Sequence, residues 1–270
     1  MKTAIAFLPK SPQPETYNFA EEIATKSEFD VYIITDEQWE RNQLCTDTQN
    51  CKVIYIADEV CMLSGYKNSN IYTHIKKNPI AWDKMLYYFA EINTAYDFVW
   101  VFEDDVFIQS VSTLKKLHLN YSTFDLVVPN NFLKKDNLMD WYWKHIFQKT
   151  KPPYYYSMVC ACGLSKKMIG VVKKYVNNNK ELFFIEAMFN TLAMQNNLSV
   201  TDAFELKSVV WKGVWGIDEW MLLPDNVFHP LKDIEMYPAY RKMIEMGNMT
   251  NYIPINKLPS FITENLQFKN

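Results

Sequence analysis

Glycine is scarce, with six in 270 residues, and histidine scarcer, with four. So few glycines, and twelve prolines without a period, exclude collagen-like and low-complexity architectures. They also leave no glycine-rich loop after the first apolar segment, which runs into Pro9-Lys10-Ser11-Pro12. A nucleotidyltransferase or other phosphoryl-transfer enzyme is expected to cradle phosphate on glycines there. The five cysteines (Cys45, Cys51, Cys61, Cys160 and Cys162) contain no CxxC pair, and with the scattered histidines they suggest no zinc site. Cys45 and Cys51 would close a small loop in an oxidising compartment; a reduced cytosolic chain fits the remaining features better. No stretch approaches the ~20 apolar residues that span a bilayer. The run Ala4 to Leu8 is too short for a signal peptide and stops at Pro9. Positive charge is also short, since 28 Lys and Arg face 31 Asp and Glu, a net charge of −3. A general nucleic-acid binder carries a basic excess, so no nucleic-acid partner is expected. Together these absences predict a soluble, cytoplasmic protein without a membrane span.

What is present is enough to fold. Hydrophobic residues make up 49% and charged residues 22%, which excludes a disordered chain. Aromatics reach 16%, a large supply for a core and also for a sugar-binding cleft. Short apolar runs at Thr3 to Leu8, Asp30 to Thr35, Lys52 to Ala57, Phe98 to Ile108 and Phe124 to Pro129 predict strands. Helical patterns at Tyr17 to Lys26, Pro79 to Asn93 and from Ser110 alternate with them. The alternation predicts an α/β fold with a mostly parallel central sheet flanked by helices. Residues 64 to 79, rich in Asn, Ser and Lys, read as a mobile surface segment. Further helices are expected at Ser165 to Tyr175, with Ser165 as N-cap, and at Phe184 to Gln195. No repeat and no linker interrupts the chain, so one domain with two functional halves is expected.

Glu103-Asp104-Asp105 is the most informative feature. Three adjacent carboxylates follow Phe98-Val99-Trp100-Val101-Phe102, and Val106-Phe107-Ile108 resumes the apolar run. Like charges in such a setting repel strongly, and a divalent cation relieves the repulsion. Hard cations such as Mg²⁺ or Mn²⁺ take oxygen ligands and keep positions open for phosphate oxygens. The carboxyl edge of an open α/β sheet is also where ligands bind.

This segment resembles the DxD region of GT-A glycosyltransferases, in the EDD variant of the N-acetylglucosaminyltransferases that start complex N-glycan branches. The resemblance implies a single GT-A-like domain. A Rossmann-like nucleotide-sugar half would span 1–110, an acceptor half 111–232, and an extension 233–270. It implies that Asp105 is a metal ligand for Mn²⁺ or Mg²⁺, and that Glu103 and Asp104 contact the donor. Asp36, at the end of the second strand, is where such enzymes place an acid against the nucleoside; an ordinary strand-end Asp is the alternative. Lys84, in Trp82-Asp83-Lys84, is placed toward the donor diphosphate, or else is a solvated helix-face lysine. Cys162-Gly163-Leu164-Ser165 resembles a small-residue turn on the acceptor side.

Glu186, in Phe184-Ile185-Glu186-Ala187-Met188-Phe189-Asn190-Thr191-Leu192, resembles the acid of the E-x-x-x-x-T-L helix of inverting GT-A families. There it is the general base for the acceptor hydroxyl. A lone carboxylate among apolar neighbours is desolvated and its pKa rises toward neutrality, which suits a base. The alternative is the exposed stripe of an amphipathic helix. Asp218 and Glu219 are the reserve candidates. Val227-Phe228-His229-Pro230-Leu231-Lys232 resembles a late segment whose His229 completes the metal sphere and whose Lys232 holds the diphosphate. Trp141, Tyr142, Trp143 and Trp215 are candidates for an acceptor platform. The implied reaction is inverting transfer of a sugar from a nucleotide-diphosphate donor, UDP-linked in most of the family, to a glycan or glycoconjugate hydroxyl. A metal-dependent nucleotidyltransferase and a non-catalytic carbohydrate-binding protein are the alternatives.

Overall fold

The computed structural model describes residues 1–10, 13–36, 51–70, 79–136, 138–211, 213 and 215–245. Cys45 and residues 71–78 lie outside the described residues, as does the chain beyond 245. The first half alternates as its pattern predicts. Strand β1 (Thr3–Leu8) leads to helix α1 (Pro14–Lys26), then β2 (Asp30–Ile34), β3 (Cys51–Ile54), α2 (Asp58–Ser64) and α3 (Ala81–Tyr87). Strands β4 (Phe98–Glu103) and β5 (Phe107–Ile108), helix α4 (Val111–Tyr121) and β6 (Leu126–Val128) follow. Then come β7 (Phe132–Leu133), α5 (Trp143–Lys149), β8 (Tyr155–Tyr156), β9 (Ala161–Ser165), α6 (Lys166–Asn179) and α7 (Ile185–Gln195). The last elements are β10 (Val200–Asp202), α8 (Ile217–Leu222), β11 (Val227–Phe228) and α9 (Tyr237–Glu245).

Seven strands form one sheet in the order β10-β6-β9-β4-β1-β2-β3. Only β9 runs antiparallel to its neighbours. The fold is therefore α/β with a mostly parallel sheet. Helices cover both faces, so the central strands are apolar on both sides. Phe98, Trp100 and Phe102 of β4 join Ile5 and Phe7 against α1 and α4. Val99 and Val101 join Ala4, Ala6 and Leu8 on the opposite face, under α3, α6 and α7. The period of two in β1 and β4 assigns each residue to its face.

Several expectations need correction. The apolar run 98–108 is two strands: β4 ends at Glu103, and β5 leaves the main sheet to pair antiparallel with β11. Three acids cannot continue inside a two-sided apolar strand, so the chain turns there, with Val106 N–H donating to Glu103 O at 3.2 Å. The Pro79 to Asn93 helix is α3 followed by a wider π turn over residues 88–92. The part of the 64–79 segment that is described is no surface segment. Gly65 (φ +86°) ends α2 in the left-handed region, and Tyr66 and Ser69 are buried. Gly163 lies in strand β9 opposite Trp100 rather than in a turn. A Cβ there would sit 2.6 Å from the Phe98 ring, so the aromatic face of β4 requires a glycine across from it. Cys51 is buried at the start of β3, and Cys45, its partner in the expected loop, lies outside the described residues.

Ser165 does cap α6, its Oγ accepting from Met168 N at 3.1 Å. The described part of the C-terminal segment packs on β5: Tyr237 and Tyr240 of α9 meet Phe107 edge-on. The Arg241 guanidinium lies 3.5 Å from the Phe19 ring centre, and its Nε donates to Ile108 O at 2.9 Å. Among the described residues, no helix is long and apolar enough to cross a membrane.

Candidate active site

The chain runs from β1 outward to β2 and β3, then returns to lay β4 on the other side of β1. Strand order thus reverses between β1 and β4, where open α/β sheets leave a crevice at the carboxyl ends. Glu103 pairs with Leu8 at that edge. Beyond it, the β5–β11 ladder sets Phe228 opposite Phe107, which brings His229 beside the acidic turn. Leu231 N–H then donates to Asp105 O at 2.9 Å. His229 Nε2 lies 3.3 Å from Asp105 Oδ1. Lys232 Nζ forms an ion pair with Asp105 Oδ2.

His229 is buried, and its Nδ1 faces Val210 O at 2.8 Å. A carbonyl only accepts, so Nδ1 carries a proton, and when the ring is neutral it is Nε2 whose lone pair faces the cavity. Burial favours the neutral ring, but the hydrogen bond and charge of Asp105 outweigh it and raise the pKa. Burial likewise pushes Asp105 up, yet His229 and Lys232 hold it below the usual carboxylate range. Glu103 accepts from Trp82 Nε1 at 2.6 Å; burial, then Asp105, raises its pKa despite that bond.

Asp105 Oδ1 is buried and takes no well-formed hydrogen bond among the described residues. In the neutral ring, with the proton on Nδ1, two lone-pair donors would face each other across 3.3 Å, whereas the protonated ring that Asp105 favours points its Nε2–H at that oxygen. An ion with ligands at about 2.1 Å in octahedral geometry separates adjacent ligand atoms by about 3 Å, so the pair fits a shared divalent cation. One ligand atom each from Glu103, Cys160 and His229 fall within 4.8 Å of one another, a group that could hold a metal ion. Cys160 thus stands with Glu103 and His229, and Asp105 adjoins this group through His229.

These residues line a cavity of about 350 Å³ together with Glu186 and Lys232. Glu186 lies in the first turn of α7. Burial, then repulsion from Glu103, pushes its carboxyl up to about 8, with His229 pulling it partly back. A second cavity, of about 630 Å³, is lined by Phe132, Trp141, Trp143, Tyr156 and Trp211. Glu186, Met158 and Trp211 line both cavities. Trp141 takes a positive φ of 50°, an unfavourable backbone for a bulky residue, and its ring meets Phe184 edge-on at 5.0 Å.

Other expected site residues fall elsewhere. Asp36 accepts from Ala81 N–H at the start of α3, and burial raises its pKa to about 6. Lys84 is fully buried, neither solvated nor facing the cavity. Its Nζ donates to Asp36 O and pairs with Asp58 Oδ1, each at 2.9 Å. Asp104 turns away from the cavity to accept from the Lys10 backbone N–H. Glu219 accepts from Gly216 N–H at 2.9 Å and so caps α8, and the Asp218 side chain lies outside the described residues. Tyr142 stacks edge-on against Phe184 at 4.7 Å, whereas Trp215 supports the loop carrying His229 by donating to His229 O at 2.9 Å. Trp82, Cys160 and Trp211 carried no signal as site residues in the sequence, although Trp82 lies two residues before the candidate Lys84.

The sequence matches no family model and no curated protein. Among solved structures, it resembles the galactosyltransferase LgtC in complex with donor and acceptor sugar analogues. The identity is 12% and the TM-score 0.46, covering 94% of this chain and 98% of that one. An active-site mutant of LgtC gives 13% identity and the same TM-score over the same shares. Mouse xyloside xylosyltransferase 1, apo form, gives 11% and 0.37 over 75% of this chain and 84% of that one. At these values the likeness is too distant to assign a role to any residue.

Proposed function

We propose that this chain is a metal-dependent, inverting glycosyltransferase of GT-A type, moving a sugar from a nucleotide-diphosphate donor, UDP-linked, to a glycan hydroxyl. The observation that carries the reading is the position of Glu186. It lines both the acid-rich cavity beside Asp105 and His229 and the aromatic cavity next to it. A donor in the first and an acceptor in the second would meet at its carboxylate.

Asp105 and His229, with Glu103, would hold Mn²⁺ or Mg²⁺. When bound, the cation supplies Lewis-acid neutralisation of the charge that grows on the departing diphosphate. Lys232, already at this mouth on Asp105, adds a mobile positive charge to the same phosphate oxygens. Glu186 takes the proton from the acceptor hydroxyl as that oxygen attacks the anomeric carbon from the face opposite the leaving group. A carboxyl titrating at about 8 is matched to that transfer near neutral pH. Phe132, Trp141 and Trp211 offer flat apolar faces to the acceptor ring. Trp82 fixes Glu103 through its indole N–H. Asp36 and Lys84 act at one remove, tying the start of α3 to the end of β2, so that Trp82 is held in place. The donor half (1–110) and acceptor half (111–232) serve one site, with the described part of 233–270 bracing β5.

The test is hydrolysis and transfer from a panel of UDP-sugars, with Mn²⁺ and with chelator. Metal-dependent turnover that Glu186→Gln abolishes, with donor binding intact, is the expected result. Turnover indifferent to chelator overturns the metal assignment, and an unimpaired Gln variant overturns the base.

A further inference from the structure

Cys160 brings sulfur into a site otherwise made of oxygen and nitrogen. Strand β9 runs antiparallel to β4, with Phe102 opposite Ala161, and Glu103 N–H donates to Cys160 O at 2.9 Å. Cys160 thereby ends beside Glu103 at the carboxyl edge of the sheet and lines the cavity. Its Sγ, one Glu103 oxygen and one His229 nitrogen lie within 4.8 Å of each other. Asp105 Oδ1, buried and without a hydrogen bond among the described residues, is 3.3 Å from His229 Nε2. One carboxylate, one imidazole and one thiol converge on one corner of the cavity, and Asp105 adjoins them through His229. Cys162, two residues on, is fully buried and does not line it.

We propose that Cys160 is a direct ligand of the divalent ion, making a mixed O/N/S centre that selects first-row transition ions (Mn²⁺, Co²⁺ or Zn²⁺) over Mg²⁺. The inference rests on the reading of this cavity as a metal site and narrows the ion it takes. Mg²⁺ demands near-ideal octahedral geometry and hard oxygen ligands, so a thiol in the set is lost to it. Thiolate and imidazole suit ions later in the first transition row, and affinity there rises from Mn²⁺ through Co²⁺. On binding, the Sγ–H bond breaks, the sulfur lone pair forms the bond to the ion, and the proton leaves to solvent.

The test is a Co²⁺ titration of the full chain followed by absorption. A near-ultraviolet thiolate-to-cobalt charge-transfer band is expected beside the visible bands. Cys160→Ser removes it and Cys162→Ser keeps it, Zn²⁺ displaces the Co²⁺, and Mg²⁺ does not. Zn²⁺ affinity in Cys160→Ser falls roughly tenfold or more, since even losing a group that only orients a ligand costs that much. X-ray absorption at the cobalt edge of the wild-type protein reads the same question without a variant, with sulfur expected in the coordination shell. A band that survives in Cys160→Ser, or a shell free of sulfur, overturns the proposal. If Co²⁺ then still binds through nitrogen and oxygen and donor hydrolysis stays metal-dependent, only the sulfur assignment falls. Failure to take up any divalent ion removes the metal reading with it.

Discussion

Glu186→Gln isolates the energetics of the candidate base. Its carboxyl, ordinarily near 4.5, titrates at about 8 in the folded chain, because burial and then the Glu103 charge disfavour the ionised form. The folded value lies above the unfolded one. Below 4.5 both states hold the proton and the group costs nothing. Between 4.5 and about 8 the unfolded chain ionises first, so stability falls as pH rises. Above about 8 both states are ionised and the full cost is present. At about 1.4 kcal/mol for each tenfold difference in proton affinity, the ceiling is roughly 5 kcal/mol. Solvent in the open cavity screens part of it, leaving roughly 2–3 kcal/mol. For a chain of this length that is roughly 5–10 °C in melting temperature. Glutamine keeps the shape and removes the charge. Thermal unfolding followed by circular dichroism, without added metal, is expected to coincide for the two proteins near pH 4.5. The Gln variant should pull ahead as pH rises to about 9, while its transfer activity is absent throughout. Parallel melting curves across the range would show that Glu186 is solvated, and the argument for a desolvated base would fail.

Asp105→Asn removes the proposed metal ligand; wild type should gain about 2.7 kcal/mol at a hundredfold excess of Mn²⁺ over its dissociation constant, and the variant none, read by thermal shift. Lys84→Met leaves Asp58 and the Asp36 carbonyl without their cation, and should cost roughly 3–5 kcal/mol in denaturant unfolding. A normal unfolding curve with a raised KM for donor would instead place Lys84 on the diphosphate. Gly163→Ala drives a Cβ to within 2.6 Å of the Phe98 ring, and should cost roughly 1–3 kcal/mol in the same assay.

Strands β1, β2, β3, β4 and β6, the helices α1, α6 and α7, and the carboxylate cluster after Phe102 were legible because each rests on local pattern. Period-two burial, a serine N-cap and clustered carboxylates inside an apolar run need no distant partner to be recognised. Lys84 shows where that kind of reading stops. A lysine on a helix reads as solvated or as a phosphate contact, and only the meeting of α2, α3 and the end of β2 gives it two buried oxygen partners. Gly163 shows the same limit: it looked like a turn residue, and it is small because Phe98 and Trp100 lie across the ladder.

Sequence by itself therefore determined the class of fold and the edge of the sheet at which charge gathers, because both follow from residues that are neighbours along the chain. The tertiary structure decided which groups share the cavity. Asp105 and Lys232 are 127 positions apart, and they meet because β5 leaves the main sheet to pair with β11. Cys160 stands beside Glu103 because β9 reverses direction against β4. Strand direction and register are set by whole faces packing against each other, and a one-residue slip would turn either side chain to the opposite face.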